Sequence, residues 1–118
     1  MRLETVSVCL CVKGRIAVPY DGGVIPILPR TIAALESSIR SVGVAAELCI
    51  ADWPTPDQNV ARWICTATRL RARVVRMSGP FSRGRGRNGA ARIARGAVLF
   101  FMDADMLCVP RVIERGLE

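Results

Sequence analysis

Four short apolar, β-prone runs recur along the chain and alternate with stretches of helical periodicity. The runs occupy residues 6–12, 47–51, 73–77 and 97–105. Strands that alternate with helices form a mainly parallel sheet, because each parallel pair needs a long crossover connection that a helix supplies. We therefore predict an α/β fold with helices on the faces of the sheet and with ligands at the carboxyl ends of its strands.

The stretches between these runs carry helix and loop signals of their own. Glycine and proline break every regular pattern over residues 14–29, which we predict to be a loop. A first helix is predicted from Thr31, and Asp57 is a candidate N-cap for a second. An alanine-rich third helix ends at Arg95, and Pro110 opens a fourth. The predicted order is thus β-α-β-α-β-α-β-α.

Length and composition indicate one folded domain. The chain has 118 residues, of which 51% are apolar and 23% charged. No apolar run approaches the roughly 18 residues that a membrane span needs, and the first residues make a poor secretory signal. Five cysteines without a Cys-x-x-Cys pair or any histidine indicate free thiols rather than a zinc site. We expect a cytoplasmic protein.

The chain is strongly basic, with a formal net charge of +7, and sixteen of its seventeen basic residues are arginine. The planar guanidinium offers a fork of donors to phosphate, so this balance suits a nucleotide, a nucleic acid or an anionic surface. An arginine-rich genome would give the same composition without any such ligand. Composition alone leaves both interpretations open.

The last apolar run ends in two acidic residues, Asp103 and Asp105. Side chains two positions apart on a strand share a face, so the two carboxylates converge if the extended geometry persists through them. Convergent carboxylates form a hard oxygen site suited to Mg²⁺ or Mn²⁺. The alternative is a strand that ends in ordinary turn residues, where aspartate is common without a ligand.

The segment GRGRNG at residues 84–89 admits two further interpretations. It matches the G-x-G-x-x-G pattern of dinucleotide-binding folds, but in those folds the first glycine ends the first strand, whereas here it follows the third. The arginine–glycine mixture at residues 83–87 also resembles a nucleic-acid patch. Only Phe81 among six aromatic residues lies near it, so base stacking would be poorly served.

Three segments together resemble the N-terminal, nucleotide-sugar-binding half of family 2 glycosyltransferases, which have the GT-A fold. They are VSVCLCVKGR at residues 6–15, ELCIADWPTPD at residues 47–57, and FSRGRGRNGAARIARGAVLFFMDADMLCVP at residues 81–110. The last segment, with its arginine- and asparagine-bearing helix followed by an Asp-x-Asp strand, is the most specific. The resemblance runs from residue 6 to about residue 110.

The resemblance implies a nucleoside-binding set and a phosphate-binding set. For the nucleoside, Asp52 would contact the uracil or ribose, and main chain around Cys11 and Val12 would line the same pocket. The sequence departs from the commoner family pattern at Trp53, where many members have a second aspartate, and at Cys11, where proline is frequent.

For the phosphates, the resemblance implies Arg83 or Arg87 together with Asn88. Asp103 and Asp105 would form the metal and ribose site, with Asp105 the more direct ligand of Mn²⁺ or Mg²⁺. The metal would neutralise the diphosphate leaving group as the glycosidic bond breaks.

The implied partners are a UDP-sugar donor and a saccharide or other hydroxyl acceptor, in a pathway such as polysaccharide biosynthesis. Family members continue for roughly another hundred residues, which supply acceptor binding and the catalytic base. We therefore expect residues 1–118 to be a single donor-binding part, completed by a C-terminal half or a partner chain, with no stable nucleic-acid complex. The alternative is a non-catalytic nucleotide or nucleic-acid binding α/β module.

Overall fold

The computed structural model describes residues 5–118. It contains six strands and four helices within that range. In chain order they are β1 (Thr5–Val12), β2 (Val18–Tyr20), β3 (Gly23–Ile25), α1 (Ile27–Val42), β4 (Ala45–Asp52), α2 (Val60–Ala67), β5 (Arg71–Arg76), α3 (Arg83–Ile93), β6 (Val98–Phe101) and α4 (Pro110–Gly116). The prediction of an α/β fold is confirmed.

Four of these strands form one parallel sheet in the order β5-β4-β1-β6. The chain moves outward from β1 through β4 to β5 and then returns to place β6 on the other side of β1. The direction of winding therefore reverses between β1 and β6. In open α/β sheets such a reversal leaves a crevice outside the carboxyl ends of the two strands, where ligands bind.

The two faces of the sheet are covered unequally. Val8 and Leu10 of β1 are fully buried in a core shared with α1, α2 and α4. On the opposite face Cys9 packs with Ala90 of α3 in a smaller cluster. Each buried leucine or isoleucine contributes roughly 1.5–3 kcal/mol through the removal of apolar surface from water. The larger face therefore supplies most of the stability, and among the described residues α3 is the helix that covers the other face.

The predicted loop at residues 14–29 was wrong in part, because it contains a hairpin and the first turn of a helix. Strands β2 and β3 pair antiparallel around Asp21 and Gly22, whose positive φ angles of 49° and 76° suit a tight hairpin turn. Helix α1 begins at Ile27 rather than Thr31. Pro29 lies in its first turn, where the missing backbone N–H is not needed.

Two helix starts also differ from the prediction. Asn59 rather than Asp57 caps α2, since its side chain accepts a hydrogen bond from the backbone N–H of Arg62 at 3.0 Å. Helix α3 begins at Arg83, capped by the hydroxyl of Ser82. The whole GRGRNG segment is therefore helical and does not form the loop before a helix that a dinucleotide fingerprint requires.

A buried carboxylate fastens the amino-terminal edge of the sheet. Glu47 Oε2 accepts hydrogen bonds from Ser7 Oγ at 2.6 Å and from the backbone N–H of Arg95 at 2.7 Å, and Oε1 accepts from Arg73 Nε at 3.0 Å. Burial alone would raise the pKa of Glu47, but these hydrogen bonds outweigh it and hold the pKa below its ordinary value. The network fixes the turn between α3 and β6.

Strand β6 is an edge strand in the part of the chain that the structure describes. Helix α3 packs over β1, β4 and β5. On the α3 side of β6, Leu99 and Phe101 are therefore 41% and 44% exposed. No helix within residues 5–118 is long and apolar enough to cross a membrane.

Candidate functional site

Two adjoining cavities open at the carboxyl ends of β1, β4 and β6. The large cavity, of about 940 Å³, lies between the connection that follows β1 and the segment that leads into α2. The small cavity, of about 110 Å³, lies at the winding reversal between β1 and β6. Cys11, Arg15 and Phe81 line both. The two cavities therefore form one crevice with a wide and a narrow part.

Charged side chains of both signs line the small cavity. Arg83 and Arg87, one turn apart on α3, lie on one side together with Arg15, and Asp103 and Asp105 complete the charged set. Arg87 Nη2 lies 3.9 Å from Asp103 Oδ1, and both side chains are about half exposed. Three guanidinium groups beside two carboxylates suit an anionic ligand that binds together with a metal cation.

The two aspartates lie in a turn and not on a strand. Strand β6 ends at Phe101, and the backbone N–H of Met106 donates to the carbonyl of Asp103 at 3.2 Å. The hydroxyl of Thr31 on α1 donates to the carbonyl of Ala104, which is buried. The extended geometry on which the sequence argument for convergence depended does not persist through residue 105, because Ala104 turns inward against α1. Both aspartates nevertheless line the same cavity.

A close approach at Gly86 brings the arginines of α3 to this edge. A Cβ atom at Gly86 would lie 2.5 Å from Cys11 Sγ and 3.0 Å from Cζ3 of Trp53. Real Cβ atoms essentially never lie so close to another side chain, so only glycine permits this contact between α3 and the ends of β1 and β4. The same helix then presents Arg83 and Arg87 over the small cavity.

The end of β4 and the segment that follows it hold three buried polar atoms without partners among the described residues. They are Asp52 Oδ1, Trp53 Nε1 and Thr55 Oγ1. Burial raises the pKa of Asp52, and Arg76 opposes this only in part. The ring of Trp53 packs against Phe81 with centroids 4.7 Å apart. Buried polar groups are almost always hydrogen-bonded, so this segment has unused capacity to bind a polar ligand.

Five of the eight predicted site residues line the small cavity, namely Cys11, Arg83, Arg87, Asp103 and Asp105. The other three line neither cavity. The side chain of Val12 is buried in the core, and its carbonyl accepts the backbone N–H of Trp53 at 2.9 Å. Asp52 is 2% exposed, and Asn88 is exposed on α3.

Two further residues at the crevice were missed by the sequence analysis. Arg15 lies in Lys13-Gly14-Arg15 after the first strand, and the sequence analysis assigned it no role. Phe81 was considered only as a stacking platform for nucleic acid. A strand-end position was a usable signal for Arg15, which follows β1, a strand whose carboxyl end borders the crevice.

The donor set for a metal is incomplete by itself. Within residues 5–118 no group of three or more His, Cys, Asp or Glu side chains is placed to hold a metal ion. Mg²⁺ is commonly bound through one or two carboxylates, with substrate phosphates and water as the other ligands. Asp103 and Asp105 therefore fit a divalent metal only together with a phosphate-bearing ligand.

Comparison with known proteins gives one family. The family model described as Glycosyl transferase family 2 matches residues 25–118, from the end of β3 through α4. The matched part includes both aspartates and all of α3, whereas β1 and the residues that follow it up to residue 24 lie outside it. No curated protein matches the chain.

Proposed function

Because the chain belongs to glycosyl transferase family 2, we propose that it binds a UDP-sugar in the crevice as the donor for sugar transfer to a hydroxyl acceptor. The observation that carries the proposal is the small cavity at the winding reversal. Three arginines and two aspartates from three separate segments meet there. The acceptor would be a saccharide or another hydroxyl compound.

The arginines of the small cavity are the proposed diphosphate ligands. Guanidinium groups bind phosphate oxygens through paired, charge-assisted hydrogen bonds. Arg83 and Arg87 sit on α3, which Gly86 holds against Cys11, so their positions are set by rigid packing. As the glycosidic bond breaks, negative charge grows on the diphosphate, and these fixed cations stabilise it.

The two aspartates are the proposed ligands of Mn²⁺ or Mg²⁺. A bound divalent ion would neutralise part of the leaving-group charge. The carboxylate of Asp103 is shared with Arg87 at 3.9 Å, whereas Asp105 is exposed at the cavity and has no ion-pair partner among residues 5–118. This difference supports Asp105 as the more direct metal ligand.

The large cavity is the proposed nucleoside site. It adjoins the small cavity through Cys11 and Phe81, so a base and ribose in the wide part would continue into a diphosphate in the narrow part. Phe81 offers an aromatic face to the base. Asp52 stays the nucleoside contact that the family resemblance implies, but its side chain is 2% exposed and lines neither cavity. A hydrogen bond to its unpartnered Oδ1 therefore requires the end of β4 to become accessible when the donor binds.

We also propose a cytoplasmic location. All five cysteines are free thiols, and Cys65 is exposed. Thiols persist in the reducing cytosol, whereas oxidising compartments favour disulfides.

Calorimetric titration with UDP tests the donor site. Wild-type protein is expected to bind UDP in the presence of Mn²⁺, and binding should weaken about tenfold or more with EDTA or in Asp105→Asn, because the metal links carboxylate and phosphate. Glu114→Gln removes an exposed carboxylate of α4 and is the matched control. Absence of UDP binding would refute the donor site. Equal binding with and without metal, unchanged in Asp105→Asn, would refute the metal site.

A further inference from the structure

The connection between β1 and α1 forms a wall of the crevice that the family match does not cover. We call residues 13–24 the strap. Lys13, Arg15, Pro19 and Val24 are among its residues that line the large cavity. The family match begins at residue 25. The strap is therefore the part of the crevice for which family membership supplies no assignment.

One glutamine holds the first half of the strap in place. Gln58 Oε1 accepts a hydrogen bond from the backbone N–H of Ile16 at 2.9 Å, and Gln58 Nε2 donates to the carbonyl of Ala17 at 2.9 Å. The carbonyl of Arg15 itself accepts the backbone N–H of Leu28 at 2.8 Å. The backbone of residues 15–17 is thus hydrogen-bonded to the segment before α2 on one side and to α1 on the other. These bonds hold it more firmly than the backbone of an ordinary surface loop.

The side chain of Arg15 lies where the two cavities meet. It lines both cavities, as do Cys11 and Phe81, and it borders the small cavity together with Arg83 and Arg87. Arg87 shares its charge with Asp103, but Arg15 forms no ion pair within residues 5–118. Its guanidinium is therefore free to bind an anion at the junction.

We propose that Arg15 binds the diphosphate of the donor and that Gln58 is its positioning residue. The junction is where the proposed nucleoside and metal sites adjoin, so a guanidinium there would meet the phosphates that link the two. The proposal rests on the proposed donor function and adds to it a phosphate ligand supplied by the strap.

Calorimetry of Arg15→Ala with UDP and with uridine tests the ligand assignment. Loss of a charge-assisted contact to phosphate should weaken UDP binding about 10- to 100-fold. Uridine has no phosphate and should bind within about threefold of wild type by the same argument. Arg62→Ala, which removes one exposed arginine of α2, controls for net charge. Arg15→Lys keeps the charge without the fork and should give an intermediate UDP affinity.

The double variant Arg15→Ala/Gln58→Ala tests the positioning role. Gln58→Ala alone should weaken UDP binding about fivefold, and it should add less than about twofold in the Arg15→Ala background, because it acts through Arg15. Independent effects that multiply would refute positioning by Gln58. Wild-type UDP affinity in Arg15→Ala, with Asp105→Asn still impaired, would refute the role of Arg15 and leave the donor site intact. Absence of UDP binding by the wild type would instead refute the proposed function.

Discussion

Gly86→Ala should destabilise this protein, although alanine is intrinsically the better helix former. The propensity gain in a helix is about 1 kcal/mol. Against it, the new Cβ would lie 2.5 Å from Cys11 Sγ, 3.0 Å from Cys11 Cβ and 3.0 Å from Trp53 Cζ3. Overpacking costs about 1–3 kcal/mol, and the upper end applies because Cys11 is on the central strand and Trp53 is 3% exposed. The net loss should be about 1–2 kcal/mol.

Urea unfolding at neutral pH measures this loss, and Gly84→Ala is the matched control in the same helix. The nearest atom to a Cβ at Gly84 is Ser82 Oγ at 3.9 Å, so that variant should be neutral or up to about 1 kcal/mol more stable. Cys11→Ala removes the closest contact and should recover about 1 kcal/mol in the Gly86→Ala background. UDP affinity should fall in Gly86→Ala and stay unchanged in Gly84→Ala, since only the first displaces Arg83 and Arg87.

The opposite ordering of the two variants would refute the packing argument. If Gly86→Ala were as stable as Gly84→Ala, α3 could not be in close contact with the end of β1. If Gly86→Ala were destabilised but bound UDP normally, the close contact at Gly86 would be supported. The claim that this contact positions Arg83 and Arg87 would then be refuted.

Three further substitutions follow from the hydrogen bonds and pKa values described above. Glu47→Gln should lower the free energy of unfolding by about 1–3 kcal/mol at neutral pH. Because the pKa of Glu47 is lowered in the folded state, its carboxylate stabilises the fold above the ordinary pKa, and this stability is lost as pH falls through the lowered pKa. The stability of the variant should therefore depend less on acidic pH than that of the wild type. Asp52→Asn should raise thermal stability at neutral pH, because the raised pKa of Asp52 makes its ionisation oppose folding, and it should weaken UDP binding. Thr31→Val should cost about 1 kcal/mol by leaving the Ala104 carbonyl without its donor, and should weaken Mn²⁺-dependent UDP binding more than uridine binding.

Each of these has its own contrary outcome. Melting curves across acidic pH that coincide for Glu47→Gln and wild type would show that the carboxylate network does not govern acid stability. A fall in stability for Asp52→Asn with intact UDP affinity would make Asp52 a structural residue. Equal losses of uridine and UDP affinity in Thr31→Val would show that the hydrogen bond from α1 does not position the metal site.

The alternation of apolar runs and helices was sufficient to predict the parallel sheet, because buried parallel strands need continuous apolar sequence and helical crossovers. Boundaries were harder to predict. Pro29 suggested a loop residue, yet proline is accepted in the first turn of a helix. The Asp21-Gly22 hairpin carried a recognisable turn signal that the neighbouring prolines obscured.

The candidate site could likewise be predicted only in part from the sequence. Asp103 and Asp105 were predicted as candidates from their position after an apolar run, but the turn that holds them depends on Thr31, 73 residues away from Ala104 in sequence. The buried state of Asp52 and the contact of Gly86 with Cys11 are likewise tertiary facts. Spacing along one strand or helix carries no information about such contacts.

Within residues 5–118 one edge of β6 pairs with no other strand, and this bears on how copies of this chain behave at high concentration. An unpaired strand edge with exposed apolar side chains such as Leu99 and Phe101 is a template for edge-to-edge self-association. Mutual repulsion between molecules that each carry a net charge of +7 opposes such contacts, but salt screens that repulsion beyond a Debye length of about 8 Å at physiological ionic strength. The isolated chain should therefore associate more readily as salt is added, which light scattering across a salt series would measure.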